Sequence, residues 1–154
     1  MAKTSIRQIP DGHSIARYAG YSKLRRDRDG NAIGVLYSAF ELRPATATRA
    51  AETYLSSAWL DSFPGARNAQ LKAMVVAYDP HPLVIKPSGA FAIGKAGEIK
   101  AACSSFKQSI RIVNSPRPNL ACYVEVRQFN SNERDLLDLL ADEVWSDITL
   151  VKNI

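Results

Sequence analysis

The stretch ETYLSSAWLDSF, Glu52 to Phe63, holds the densest run of large apolar side chains in the chain, and its reading decides the fold. Ala51, Leu55, Ala58, Trp59 and Phe63 recur at spacings of three and four, which places them on one stripe of a helix from about Thr48 to Ser62. Ser56 and Ser57 then flank that stripe, and Pro64-Gly65 stops the helix. The competing reading is a strand with Leu55, Ser57 and Trp59 on one face and Ser56 on the other. The helix is the expectation.

Outward from this stretch the period changes. "AIGVLYSAFEL", Ala32 to Leu42, is apolar at nearly every position, as a strand buried on both faces is, and Pro44 ends it. Before it, "SKLRRDRDGN" carries charges without apolar spacing and closes on Asp29-Gly30-Asn31, so it reads as an exposed loop. "HSIARYAG" follows the turn Pro10-Asp11-Gly12 as a short helix. After the central stretch, "GARNAQLKAMVVAY" is a helix of about three turns, and "DPHP" turns the chain. "PLVIKP", "GAFAIG", "QSIRIVN" and "LACYVEVRQF" read as strands. In the last of these, Leu120, Cys122, Val124 and Val126 share the core face, while Tyr123, Glu125 and Arg127 share a partly wet one. "NSNERDLLDLLADEVW" is a helix capped by Asn130 or Ser131, and "DITLV" is a short edge strand.

The sum is a single α+β domain, residues 1–154: a mostly antiparallel sheet of four to six strands with two or three packed helices. With 46% apolar and 23% charged residues, the chain has the composition of an ordered domain with a real core. No apolar run approaches the roughly 18 residues of a membrane span. Nothing at the N-terminus reads as a signal segment, and the two cysteines sit in apolar surroundings, so the expected location is the cytoplasm, with no membrane partner.

The net charge of +5 is placed unevenly. Residues 1–77 hold 11 Lys and Arg against 6 Asp and Glu, whereas residues 78–154 hold 9 against 9. "KLRRDRDG", with Arg17 before it and Tyr18 and Tyr21 nearby, offers basic side chains and stacking surfaces for nucleic acid, but Asp27 and Asp29 oppose phosphate.

Other chemistry is thin. His13 and His81 lack partners at ligand spacing, and Cys103 and Cys122 form no C-x-x-C, so no metal is expected. Cys122 alternates with Leu120 and Val124 as an inert core thiol, and Cys103 in "AACSSF" is less clearly buried. "GKAGEIK" lacks phosphate-loop spacing, so Lys95 reads as a turn lysine, and "YLSSAW" lacks the glycines of a nucleophile elbow.

One enzymatic pattern resembles the ADP-ribosyltransferases, which bind NAD in a cleft of a β scaffold. They carry an Arg or His, then a Ser or Tyr on a following strand, then a catalytic Glu. Here His13 or Arg17, Ser56 and Glu125 stand in that order. The expectation is that these groups do not converge and that Glu125 instead pairs across the sheet with a basic neighbour such as Arg111. "IAR", then "AFELR", then "YLSSAWL" also resembles a set of small bacterial proteins with no assigned activity, from which the chain departs by the insertion "PATATRAA".

The first functional expectation is therefore a non-catalytic module in a bacterial multi-gene system, needing no cofactor. It would bind another protein, or a second copy of itself, through Tyr18, Tyr21, Tyr123, Arg25, Arg26 and Arg28. The alternatives are nucleic-acid binding through loop 23–28 and an NAD-using transferase built on Arg17, Ser56 and Glu125.

Overall fold

The computed structural model describes residues 6–81 and 83–154. Its strands and helices run in the order β1 (Arg7–Gln8), β2 (Ser14–Ala19), β3 (Leu24–Arg26), β4 (Ala32–Val35), β5 (Tyr54–Trp59), α1 (Arg67–Tyr78), β6 (Ala90–Lys95), α2 (Ala96–Ser104), β7 (Arg111–Asn114), β8 (Tyr123–Arg127), α3 (Arg134–Leu139) and β9 (Asp147–Leu150). A π-helical turn, Leu140–Val144, continues α3. Seven strands form one antiparallel sheet in the order β1-β7-β8-β5-β2-β6-β9, and β3 pairs with β4 as a separate hairpin. The class is α+β as expected, with seven strands in the main sheet instead of four to six.

Helices cover both faces. On one face, Ile15, Leu55, Ala92, Ile112, Val124 and Val126 pack with Ile99 and Cys103 of α2, Leu136 and Leu137 of α3, and Trp145. On the other, Ala16, Ala58, Phe91 and Tyr123 pack with Leu71, Met74 and Tyr78 of α1. β6 shows how the sequence achieves this: Ala90 and Ala92 enter the first core, and Phe91 and Ile93 the second. A central strand with two apolar faces loses its polar alternation.

The same physics overturns the helix expected at Thr48–Ser62. Residues 54–59 are a central strand in register with β8 from Tyr54↔Arg127 to Ala58↔Tyr123. Leu55 and Trp59 face one core and Ala58 the other, so two strand faces mimic one helical stripe. Ser57 is fully buried and Ser56 lies on the opposite face. "SIARYA" is likewise β2, not a helix, paired along its whole length with β6. The charged segment is not all loop: Leu24–Arg26 pair with Ala32–Val35, and Asp27 Oδ1 accepts the backbone N–H groups of Asp29 and Asn31 to close the turn. The strand expected through Leu42 ends at Val35 and becomes a 3₁₀ turn, Tyr37–Phe40.

Residues 83–87 are irregular, not a strand, and Pro82 lies outside the described residues. "AGEIKAACS", read in part as a turn, is α2. Gly97 permits it, because a Cβ there would come within 2.9 Å of Asp11 Cβ where Gly97 N–H bonds Asp11 O. α3 begins after Glu133 without a side-chain cap. Ser131 Oγ instead accepts Leu42 N–H at 3.0 Å, and Asn130 Oδ1 accepts Asn132 N–H at 2.8 Å. No helix among the described residues is long and apolar enough to cross a membrane.

Candidate functional site

The sheet forks between β2 and β5. The two strands share only the pairs Ile15↔Trp59 and Ala16↔Ala58, although β2 runs on to Ala19 and β5 begins at Tyr54. Beyond Ala16, β2 stays with β6 and β5 stays with β8. Backbone groups freed by such a fork must find other partners. Arg17 supplies one: its Nε donates to Ala39 O at 2.7 Å and its Nη1 to Ser56 O at 2.7 Å, with Ser56 Oγ 3.5 Å away. These bonds leave the Nη2 donors. Burial holds the Arg17 pKa below its ordinary value, against the opposing charge of Glu52.

A cleft of about 520 Å³ opens on this region, lined among others by Ser56 and Tyr54 of β5, Tyr123 of β8, Tyr78 at the end of α1, and His81. Its rings are mutually braced. Tyr78 and His81 meet edge to face at 5.6 Å, His81 lies 6.1 Å from Tyr123, and Tyr54 stands perpendicular to Tyr123 at 6.3 Å. Tyr123 OH donates to Tyr54 OH at 3.1 Å. Burial raises the pKa of both Tyr78 and Tyr123, so these phenols stay neutral donors at physiological pH.

The segment from Arg43 to Thr53 forms the other wall. Arg43 and Glu52 close it by three contacts: Glu52 N–H donates to Arg43 O at 2.9 Å, Glu52 Oε1 accepts Arg43 N–H at 2.6 Å, and Oε2 meets the Arg43 guanidinium at 3.2 Å. Thr46 and Arg49 bridge at its tip, and Arg43, Arg49, Ala50 and Ala51 line the cleft. Burial alone would raise the Glu52 pKa, but the Arg43 hydrogen bonds and the charges of Arg43 and Arg17 lower it. "PATATRAA", met in the sequence as a departure from a pattern, is thus a wall of the cleft.

The three residues of the transferase pattern stand on adjacent strands, and Ser56 is the one of them that lines the cleft. Arg17 reaches Ser56, and Ser56 stands directly opposite Glu125 in the β5–β8 ladder. β2, β5 and β8 are adjacent in the sheet, so the order along the chain becomes an order in space. Glu125 is buried, not partly wet, and its basic partners are Arg127 and Arg117 in place of Arg111. Its Oε1 takes Arg127 at 2.6 Å, and its Oε2 takes Arg117 at 2.8 Å. Arg117 also donates to Tyr54 OH at 3.2 Å, so Glu125 lies one side chain behind the cleft wall. The second member of the His-or-Arg choice, His13, sits elsewhere, accepting Trp59 Nε1–H on Nδ1 at 3.0 Å.

The candidate contact residues scatter. Tyr18 is half-buried against Phe91, its hydroxyl accepting Lys86 N–H at 3.1 Å. Arg25 pairs with Asp142 at 2.7 Å, and Arg26 lies 3.4 Å over the exposed ring of Tyr21. Arg28 is exposed on the hairpin turn. Tyr123 alone of this set belongs to the cleft. Both cysteines are buried, which raises the thiol of Cys103 to about 12 and that of Cys122 to about 11 and leaves them poor nucleophiles.

Sequence reading missed Tyr54, Tyr78, Arg43, Arg49 and Arg117. Only the clustering of tyrosine and arginine around a polar central strand signals them. Comparison of the chain with models of protein families, with curated proteins and with solved structures returned no match.

Proposed function

We propose that the protein is an NAD-using enzyme of the ADP-ribosyltransferase type. The observation that carries this reading is the succession of Arg17, Ser56 and Glu125 on three adjacent strands, beside a cleft at the fork of the sheet. The braced rings of Tyr78, His81 and Tyr123 offer faces and edges to a flat heteroaromatic ring, and Arg43 and Arg49 favour the pyrophosphate.

In such a reaction the bond from ribose C1′ to the nicotinamide nitrogen breaks, and its electron pair leaves with nicotinamide. A water or acceptor oxygen forms the new bond to C1′ and gives up its proton. Glu125 would hold the ribose hydroxyl and favour the positive charge developing on the sugar, with Arg17 and Ser56 fixing the phosphate and ribose.

The test is release of nicotinamide from NAD by the full chain, followed by chromatography, with NAD binding measured in parallel by calorimetry. Turnover in the wild type and its loss in folded Glu125→Gln is the expected result. Absence of NAD binding, or undiminished turnover in Glu125→Gln, would overturn the reading.

A protein-docking role has one observation in its favour. Val76, Leu83 and Val84 are 71%, 39% and 66% exposed beside the cleft residues Tyr78 and His81. An unchanged monomer across a concentration series in sedimentation, together with no partner captured through this patch relative to Val84→Asp, would count against it.

A further inference from the structure

Glu125 is held by two arginines of different kinds. Arg127 lies two residues along the same strand, opposite Tyr54, so the β5–β8 ladder fixes its position. Its Nε and Nη2 reach Glu125 Oε1 at 2.8 and 2.6 Å. Arg117 comes from the connection between β7 and β8, where its backbone pairs only with Leu120, and its side chain is 43% exposed. A single nitrogen, Nη2, serves both Glu125 Oε2 and Tyr54 OH, while the guanidinium lies 4.7 Å from the centre of the Tyr123 ring. Tyr54 and Tyr123 both line the cleft. Arg117 therefore extends from the buried carboxylate to the cleft wall and keeps further N–H donors unspent.

A phosphate matches the donor fork of a guanidinium as well as a carboxylate does and brings more charge. We propose that Arg117 is a displaceable cover on Glu125: a phosphate or pyrophosphate group entering the cleft takes its guanidinium and uncovers Oε2. The carboxylate is not orphaned by the exchange, because Arg127 stays on Oε1. Arg117 is the exposed end of this pair, at 43% against 6% for Glu125, so it is the guanidinium that can turn to the cleft, and the direction of the exchange is set by the charge of the newcomer. The identification of the anion as the pyrophosphate of NAD rests on the proposed transferase reading, and the exchange itself does not. Arg117 is in this sense a positioning residue, acting on ligand charge and on Glu125 together.

The experiment uses inorganic pyrophosphate as the probe, titrated calorimetrically into the full-length wild type, Arg117→Met, Glu125→Gln and the double variant, each first checked for a cooperative melt. Loss of one charge-assisted contact predicts binding about tenfold weaker in Arg117→Met. Because Glu125 competes with the probe for Arg117, Glu125→Gln is expected to tighten binding several-fold, and that gain is expected to vanish in the double variant. Should Glu125→Gln fail to fold, Glu125→Asp replaces it, expected to tighten binding less through its shorter reach. The inference is overturned if pyrophosphate does not bind, if Arg117→Met binds it as the wild type does, or if the gain persists without Arg117. Pyrophosphate exchange without NAD turnover would sink the transferase reading alone, and NAD turnover without the competition pattern would sink this one alone.

Discussion

The two faces of the sheet are built from the same strands and do different work. Under α2 and α3 an apolar core runs from β7 across to β6, interrupted by the buried Ser57, with Trp145 against Phe40 at 5.4 Å. Under α1 the apolar cluster thins out where the sheet forks, and Tyr, Ser, Arg and Glu take over. The difference teaches where a small domain can keep polar groups. The face with the larger apolar core is expected to carry most of the stability, while the opposite face holds charges in a fork that no ladder closes.

The sharpest way to break this comparison is at the larger core. Trp145 is fully buried, and Trp145→Ala is expected to destabilise the fold by about 3–5 kcal/mol in a denaturant melt. A loss no larger than that of a surface substitution would mean that the α2–α3 face does not carry the fold.

On the forked face a smaller loss is expected. Glu125→Gln keeps the shape but removes a buried charge that answers two guanidinium groups, for about 1–3 kcal/mol. A carboxylate kept solely for chemistry would leave the melt unchanged, so this variant separates structural from chemical duty.

The smallest effect concerns the cleft wall. Glu52 has its pKa lowered in the fold, so its contribution is fully present above the ordinary carboxylate value of 4.5 and is lost as pH falls through the lowered folded value. Acid titration followed by limited proteolysis is expected to open residues 43–52 before the rest of the chain. Simultaneous cleavage elsewhere would show that the Arg43–Glu52 clamp does not act locally.

What was legible in the sequence was local. α1, β6, β7, β8 and β9 stand where period and punctuation put them, because each pattern is set by neighbours along the chain. β2 and β5 were not legible as strands, since both of their faces are covered and the alternation that marks a half-exposed strand is lost. The order of Arg17, Ser56 and Glu125 was visible as a resemblance. Their adjacency was not, because it depends on β8 lying beside β5 and β5 beside β2, pairings that span about half the chain. Arg117 carried no signal at all, being one arginine in a proline-rich turn until the fold brings Tyr54 to meet it.

The strand order also governs how the molecule comes into being. In the main sheet only β7 and β8 are neighbours both along the chain and across it; every other pairing joins distant segments, down to Arg7 with Asn114. Loop closure has to precede most of the reward, which places folding among the slower, milliseconds-to-seconds domains. During synthesis, β2 leaves the ribosome long before β6 or β5 can meet it. Its buried, alanine-rich edges wait unpaired over that interval, and that is the period in which the nascent chain is most open to mispairing and to chaperone capture.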